Sequence, residues 1–184
     1  MWLLGGAVLI TVGLAAWCFV RIRYEYRNRQ ELSTQSVILV WGLYLFHLGV
    51  TMTVAVMAIW FIPLPSIISL GGGILLLGSG TAIFVAGIWT FHSFKRMSGL
   101  DSSKLITSGI YRWSRNPQNL GWLLFLLGVS FLGRSGLAFL LTGLFWGLFV
   151  IYAPLEEQYL ERIFGEKYRR YKQWSHRYFG PPRA

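Results

Sequence analysis

Five apolar segments without a single charge, at residues 2–20, 37–62, 67–91, 120–132 and 137–153, leave this chain little choice of fold. In a bilayer every backbone N–H and C=O must be paired within the chain, so apolar runs of this kind become helices. About 20 residues cross a hydrocarbon core. The fourth run is shorter and needs Gln118 and Asn119 in the interface, or a thin bilayer. Composition agrees: 13% of the residues are charged, where a soluble domain carries roughly 25%. The expected fold class is all-α, an integral membrane domain of five transmembrane helices with a cytosolic C-terminal interfacial helix. It forms a single domain over residues 1–184, with three N-terminal spans in 1–100 and a functional half in 101–184.

The basic residues test this division. Arg21, Arg23, Arg27 and Arg29 follow the first segment, and Lys95, Arg96, Lys104, Arg112 and Arg115 follow the third. Arg162, Lys167, Arg169, Arg170, Lys172, Arg177 and Arg183 follow the fifth, and only Arg134 falls on the other face. The positive-inside rule then places the N-terminus outside and the C-terminus in the cytosol. The net charge of +10 is thus sorted by topology and gives no reason to expect a nucleic-acid partner. The N-terminus lacks the basic n-region and small-residue cleavage site of a signal peptide. Cys18 is the single cysteine, and the three histidines show no ligand spacing, so no metal site is expected.

Two polar stretches sit where helices meet water on the cytosolic side. One is the island 105–121, which includes Arg115-Asn116-Pro117-Gln118-Asn119; the other is 154–160, which includes Glu156 and Glu157. Only a helix hairpin with a tight turn at 133–136 separates them, so they are expected to meet in space. Pro117 suits the first turn of the fourth span. That helix start presents free N–H groups and positive dipole to the cytosol, beside Arg112 and Arg115, which suits a carboxylate or phosphate. An ordinary interface with snorkelling arginines, an aromatic belt and an Asn116 cap accounts for the island equally well. The paired acids tip the balance. They stand at the negative end of a helix, where acids are disfavoured. An anion site on one wall and a cation site on the other suit a zwitterionic ligand such as an amino acid derivative.

Other features have plainer readings. Gly78, Ala82 and Ala86 recur every four residues in the third segment, with Gly80 and Gly87 nearby; helix packing is the favoured explanation and close approach to a ligand the lesser one. His47, mid-segment, is a functional candidate by its position or else a neutral histidine bonded to a neighbouring helix. In the tail, Leu160, Ile163, Phe164, Tyr168, Tyr171, Trp174 and Tyr178 recur at helical spacing, Gly165 is expected to break the helix, and Glu166 to pair with Arg162 or Arg170.

The island, the hairpin and the acidic pair, over roughly residues 104–171, resemble the isoprenylcysteine carboxyl methyltransferases and their phospholipid-methyltransferase relatives. The resemblance implies an integral membrane methyltransferase that uses S-adenosylmethionine as cofactor and methylates a lipophilic small molecule or lipidated substrate. By position it assigns Lys104, Leu105, Ile106, Tyr111, Asn116, Pro117, Gln118, Asn119 and Glu156 to the cofactor. Glu157 and Tyr152 become candidates for a catalytic role near an acceptor amine. The chain departs from the family's Arg-His-Pro-x-Tyr pattern at Asn116 and Asn119. Tyr152 stands where the carboxyl methyltransferases carry an arginine for the substrate carboxylate, which points away from a prenylcysteine carboxylate as acceptor. Two alternatives are an NADPH-dependent membrane reductase of related architecture and a non-catalytic scaffold or sensor retaining the fold.

Overall fold

The computed structural model describes residues 2–183, and side chains there except those of residues 2–4, 7 and 8. Helix α1 covers Trp2–Asn28 and α2 covers Thr34–Val56. A π-helical turn, Ile67–Gly72, leads into α3, Gly73–Trp89. A short α4, Phe94–Met97, precedes the polar island, and a 3-10 turn, Gly109–Arg112, lies within it. Then come α5, Pro117–Gly133, α6, Gly136–Phe164, and α7, Glu166–Trp174. Among the described residues there is no strand, only an isolated bridge between Phe61 and Ser135. Three helical stretches are long and apolar enough to cross a membrane: α2, the continuous run Ile67–Trp89, and α6; α5 is a shorter apolar helix.

The helix ends depart from the apolar segments in instructive ways. The second helix stops at Val56 rather than running to residue 62. Ala58 and Trp60 take positive φ, and 59–62 instead bonds to the α5–α6 turn, with Ile62 N–H donating to Arg134 C=O (2.8 Å) and Gly136 N–H to Trp60 C=O (2.9 Å). The tight turn at 133–136 is present, with Arg134 in the left-handed region and its guanidinium on Ser66 and Ser69. Helix α6 does not end at Ala153 but continues through Pro154 to Phe164. Gly165 breaks it as expected, at φ +55, and α7 begins at the next residue. Glu166 pairs with Arg169 and Arg170; Arg162 is not its partner and instead donates to the backbone carbonyls of Arg27 and Arg29.

Helices α3 and α5 form the closest pair. The contact stripe is Gly73, Gly80 and Gly87 against Gly121 and Gly128. A Cβ on Gly121 would stand 2.5 Å from the Phe84 backbone nitrogen, and one on Gly128 2.5 Å from that of Leu77. The four-residue stripe expected from Gly78 is therefore wrong in register: nothing approaches Gly78, and a seven-residue repeat makes the contact. The small residues let the backbones touch, as membrane helices do. On the other side of the molecule α1 and α6 run parallel: Tyr26 stacks on Tyr159 with ring centroids 4.3 Å apart, and Ile22, Tyr152 and Leu155 pack beside them.

Candidate functional site

The polar island and the acidic pair meet. The two carboxylates that begin the polar end of α6 differ by one residue, about 100° around the helix, and this rotation gives them opposite surroundings. Glu157 is 5% exposed and sits between two arginines. Arg115 donates to its Oε1 from Nε (3.0 Å) and Nη2 (2.9 Å), and Arg177 donates to Oε1 and Oε2 at 3.0 and 2.6 Å. The two guanidiniums together satisfy both carboxylate oxygens in one charge-assisted network. The bond from Glu157 raises the Arg177 pKa above its usual range.

This ion cluster straps the C-terminal segment over the island. Arg115 donates from its backbone to His176 C=O (2.7 Å) and from Nη1 to Ser175 C=O (2.5 Å). Asn116 donates from Nδ2 to Arg177 C=O (3.0 Å), so its side chain ties down the tail instead of capping α5. Gly180 N–H reaches Trp113 C=O (3.0 Å), Phe179 stacks on Trp113, and Tyr178 packs against Trp146 and Phe149.

Glu156 faces the other way, into a cavity of about 610 Å³. That size lies within the roughly 300–1,000 Å³ that hold cofactor-sized ligands. Of the residues assigned by position, Lys104, Leu105, Ile106, Tyr111, Asn116, Gln118, Asn119 and Glu156 all line it, as does Tyr152. Pro117 does not: it packs against Gly87 in the α3–α5 contact. Glu157 does not either: its carboxylate is committed to Arg115 and Arg177.

The cavity has two ends of different chemistry. At the polar end Glu156 has no hydrogen-bond or ion-pair partner among the described residues, and Lys104 has none either. The Gln118 Nε2 atom is buried without a partner. Tyr111 is buried, and desolvation followed by the nearby Glu156 charge raises its phenol well above the usual range, so it stays neutral. It is fixed by Phe91, edge-on at 5.4 Å, and its carbonyl accepts from the Tyr171 hydroxyl at 2.8 Å. At the apolar end Ala15, Cys18, Leu144 and Phe145 form the walls. Val20 on α1 and Ile151 on α6 also line the cavity, yet are 65% and 59% exposed, so it opens between these helices through an apolar mouth.

Residues of α1 and α2 also line the cavity, and His47 apart the local sequence pattern does not announce them. Tyr26 lies 2.5 Å, oxygen to oxygen, from the Tyr152 hydroxyl. Tyr44 donates to Asn119 Oδ1 at 2.6 Å and packs on Trp122 and Phe145. Tyr44 thereby sets an aromatic ring beside Asn119 from another helix. His47 lines the cavity wall, and its Nε2 lies 3.1 Å from Leu141 C=O, the bond to a neighbouring helix that its position allowed. Because a carbonyl only accepts, Nε2 carries the proton. A tyrosine inside an apolar run was the available signal for Tyr44. Among the described residues no group of three or more histidines, cysteines or acids stands together for a metal.

Residues 68–167 match the family model described as phospholipid methyltransferase. The chain is 30% identical to the protein-S-isoprenylcysteine O-methyltransferase of Homo sapiens over 108 residues, 55% of this chain and 37% of that protein. It is 35% identical to the probable protein-S-isoprenylcysteine O-methyltransferase of Oryza sativa subsp. indica over 98 residues, 52% of this chain and 50% of that one. Protein-S-isoprenylcysteine O-methyltransferase B of Arabidopsis thaliana is 33% identical over 96 residues, 50% and 47% of the two chains. The chain thus spans half or less of the length of these relatives. No solved structure matches.

Proposed function

The chain belongs to the phospholipid methyltransferase family, and from that premise we propose that it transfers a methyl group from S-adenosylmethionine to a lipophilic acceptor in the membrane. One observation carries the reading: a single cavity joins an unpartnered carboxylate, Glu156, at its polar end to an apolar mouth between α1 and α6. In this reading α1 and α5 cross the bilayer with the other three, the N-terminus lies outside, and the island and tail lie in the cytosol. The confinement of every Lys and Arg but Arg134 to one face supports it.

The residues at the polar end fit the cofactor. S-adenosylmethionine, when bound, supplies an electrophilic methyl group on a sulfonium. Glu156 would hold its ammonium group, and Lys104 with Gln118 its carboxylate, so that unpaired polar groups on both sides become satisfied. Leu105, Ile106 and Tyr111 would cover its apolar surface, and Asn116 and Asn119 would shape the floor. Asn116 is itself held by the tail, and Asn119 by Tyr44. The protein's contribution is to orient donor and acceptor and to exclude water. Tyr152, hydrogen-bonded to Tyr26, would orient the nucleophilic atom of the acceptor. Glu157 acts at a distance by holding Arg115 and the tail, and through them Asn116.

The test is calorimetric titration of the detergent-solubilised protein with S-adenosylmethionine. Saturable binding is expected, weakened about 10- to 100-fold in Glu156→Gln, the range for losing a hydrogen bond to a charged group. A folded wild-type protein that takes up no cofactor overturns the reading. Incubation with labelled S-adenosylmethionine and total membrane lipid then identifies the acceptor.

A further inference from the structure

A second, smaller cavity of about 210 Å³ lies beside the first at the polar ends of α1 and α6. Arg23 and Arg27 of α1 and Arg162 of α6 line it, with Gln158 and the stacked pair Tyr26 and Tyr159. None of the three arginines has a carboxylate partner among the described residues. The acids nearest in sequence are engaged elsewhere: Glu25 with Arg21 and Ser33, and Glu161 with Lys172 and Arg169. The backbone carbonyls of Arg27 and Arg29 accept from Arg162, which fixes its guanidinium without cancelling its charge. Three like charges in one groove repel, and an anion with several acceptor oxygens relieves that repulsion. Guanidinium forks match a phosphate in two-point hydrogen bonds.

The position of the groove says where such a phosphate comes from. Residues 16, 20, 23 and 27 share one face of α1, and 151, 155, 158 and 162 share the facing side of α6. Along this one seam the apolar mouth, at Val20 and Ile151, passes directly into the cationic groove. An amphiphile lying in the seam sets its chain on the apolar half and its head on the arginines. We infer that the groove binds the phosphate of an anionic membrane lipid, whose head lies outside the methyl-transfer cavity while its chain runs along that cavity's apolar mouth.

Native mass spectrometry of the full chain, released from bilayers of phosphatidylcholine and phosphatidylglycerol with no methyl donor present, tests this. The wild type retains phosphatidylglycerol. The double variant Arg23→Gln/Arg27→Gln retains about thirtyfold less, the effect expected for two basic residues at an anionic surface. Arg112→Gln/Lys167→Gln, which removes two exposed cations elsewhere, retains as much as the wild type. Arg23 and Arg27 are exposed, so an unchanged melting temperature in detergent accompanies the loss. Equal retention by the groove variant and the wild type overturns the inference, and so does equal loss from the control pair. Inorganic phosphate that displaces the lipid as readily as phosphatidylglycerol itself overturns the assignment to a lipid. Because no donor is present, the outcome is independent of the methyl-transfer reading.

Discussion

The α3–α5 contact and the α1–α6 seam are built from opposite materials. Where α3 meets α5, glycines remove the side chains and the two backbones touch. Where α1 meets α6, Ile22, Tyr26, Tyr152, Leu155 and Tyr159 hold the helices apart, and chambers open on both sides of the tyrosines. Lipid offers little hydrophobic gain for bringing two helices together, so packing at close range does the work on the first side. The second side gives up that closeness and gains space. The close-packed wall holds Gln118 and Asn119 at the start of α5, and in the proposed function the seam admits what must reach them.

This contrast is open to direct attack. The largest effect belongs to Gly121→Val, whose side chain would meet the Phe84 backbone and force the wall apart, at a cost of about 3 kcal/mol or more. Thermal unfolding in detergent reads it, with Gly143→Ala as the counterpart: a Cβ added there would meet no other part of the structure within 4 Å, and its melting temperature should stay near that of the wild type. Equal losses at the two positions would erase the distinction. Next is Glu157→Gln, which leaves Arg115 and Arg177 without their shared charge. A fully buried pair broken this way costs roughly 3–5 kcal/mol; about 2 kcal/mol is expected here because the Arg177 side chain is 38% exposed. The same substitution at Glu156 should spare stability and take cofactor affinity instead, so a double dissociation in melting and calorimetry separates the adjacent acids. The smallest effect is expected for Ile151→Trp, which narrows the mouth: roughly a fivefold rise in KM for the lipophilic acceptor, about 1 kcal/mol, with cofactor affinity unchanged. A loss of cofactor affinity as large as that of acceptor would show that the mouth and the polar end are not separate.

Much of the helical plan is legible in the residues, because apolar runs between basic clusters have one solution in a bilayer. The meeting of the polar island with the acidic stretch is legible too, since only a helix hairpin lies between them; that Arg115 would be the partner of Glu157 is not. What local patterns leave open is rotation and partnership. Adjacent acids look alike in sequence, and one helical step decides which enters the cavity. The glycine stripe is read wrongly from Gly78 because four-residue and seven-residue spacings coexist in α3, and only the facing Gly121 and Gly128 select between them. Tyr26, Tyr44 and Arg177 join the site across separations of 126, 75 and 20 residues. Such pairings depend on which helices become neighbours, and no periodicity within one segment records that.

The rings of Tyr26 and Tyr159 belong to both chambers at once. A guest on one side that turns this shared partition reshapes the room on the other, and linkage then requires each guest to alter the other's grip by the same factor. The charge of the surrounding leaflet would in that way be felt at the point of methyl transfer without the lipid's head entering the cavity.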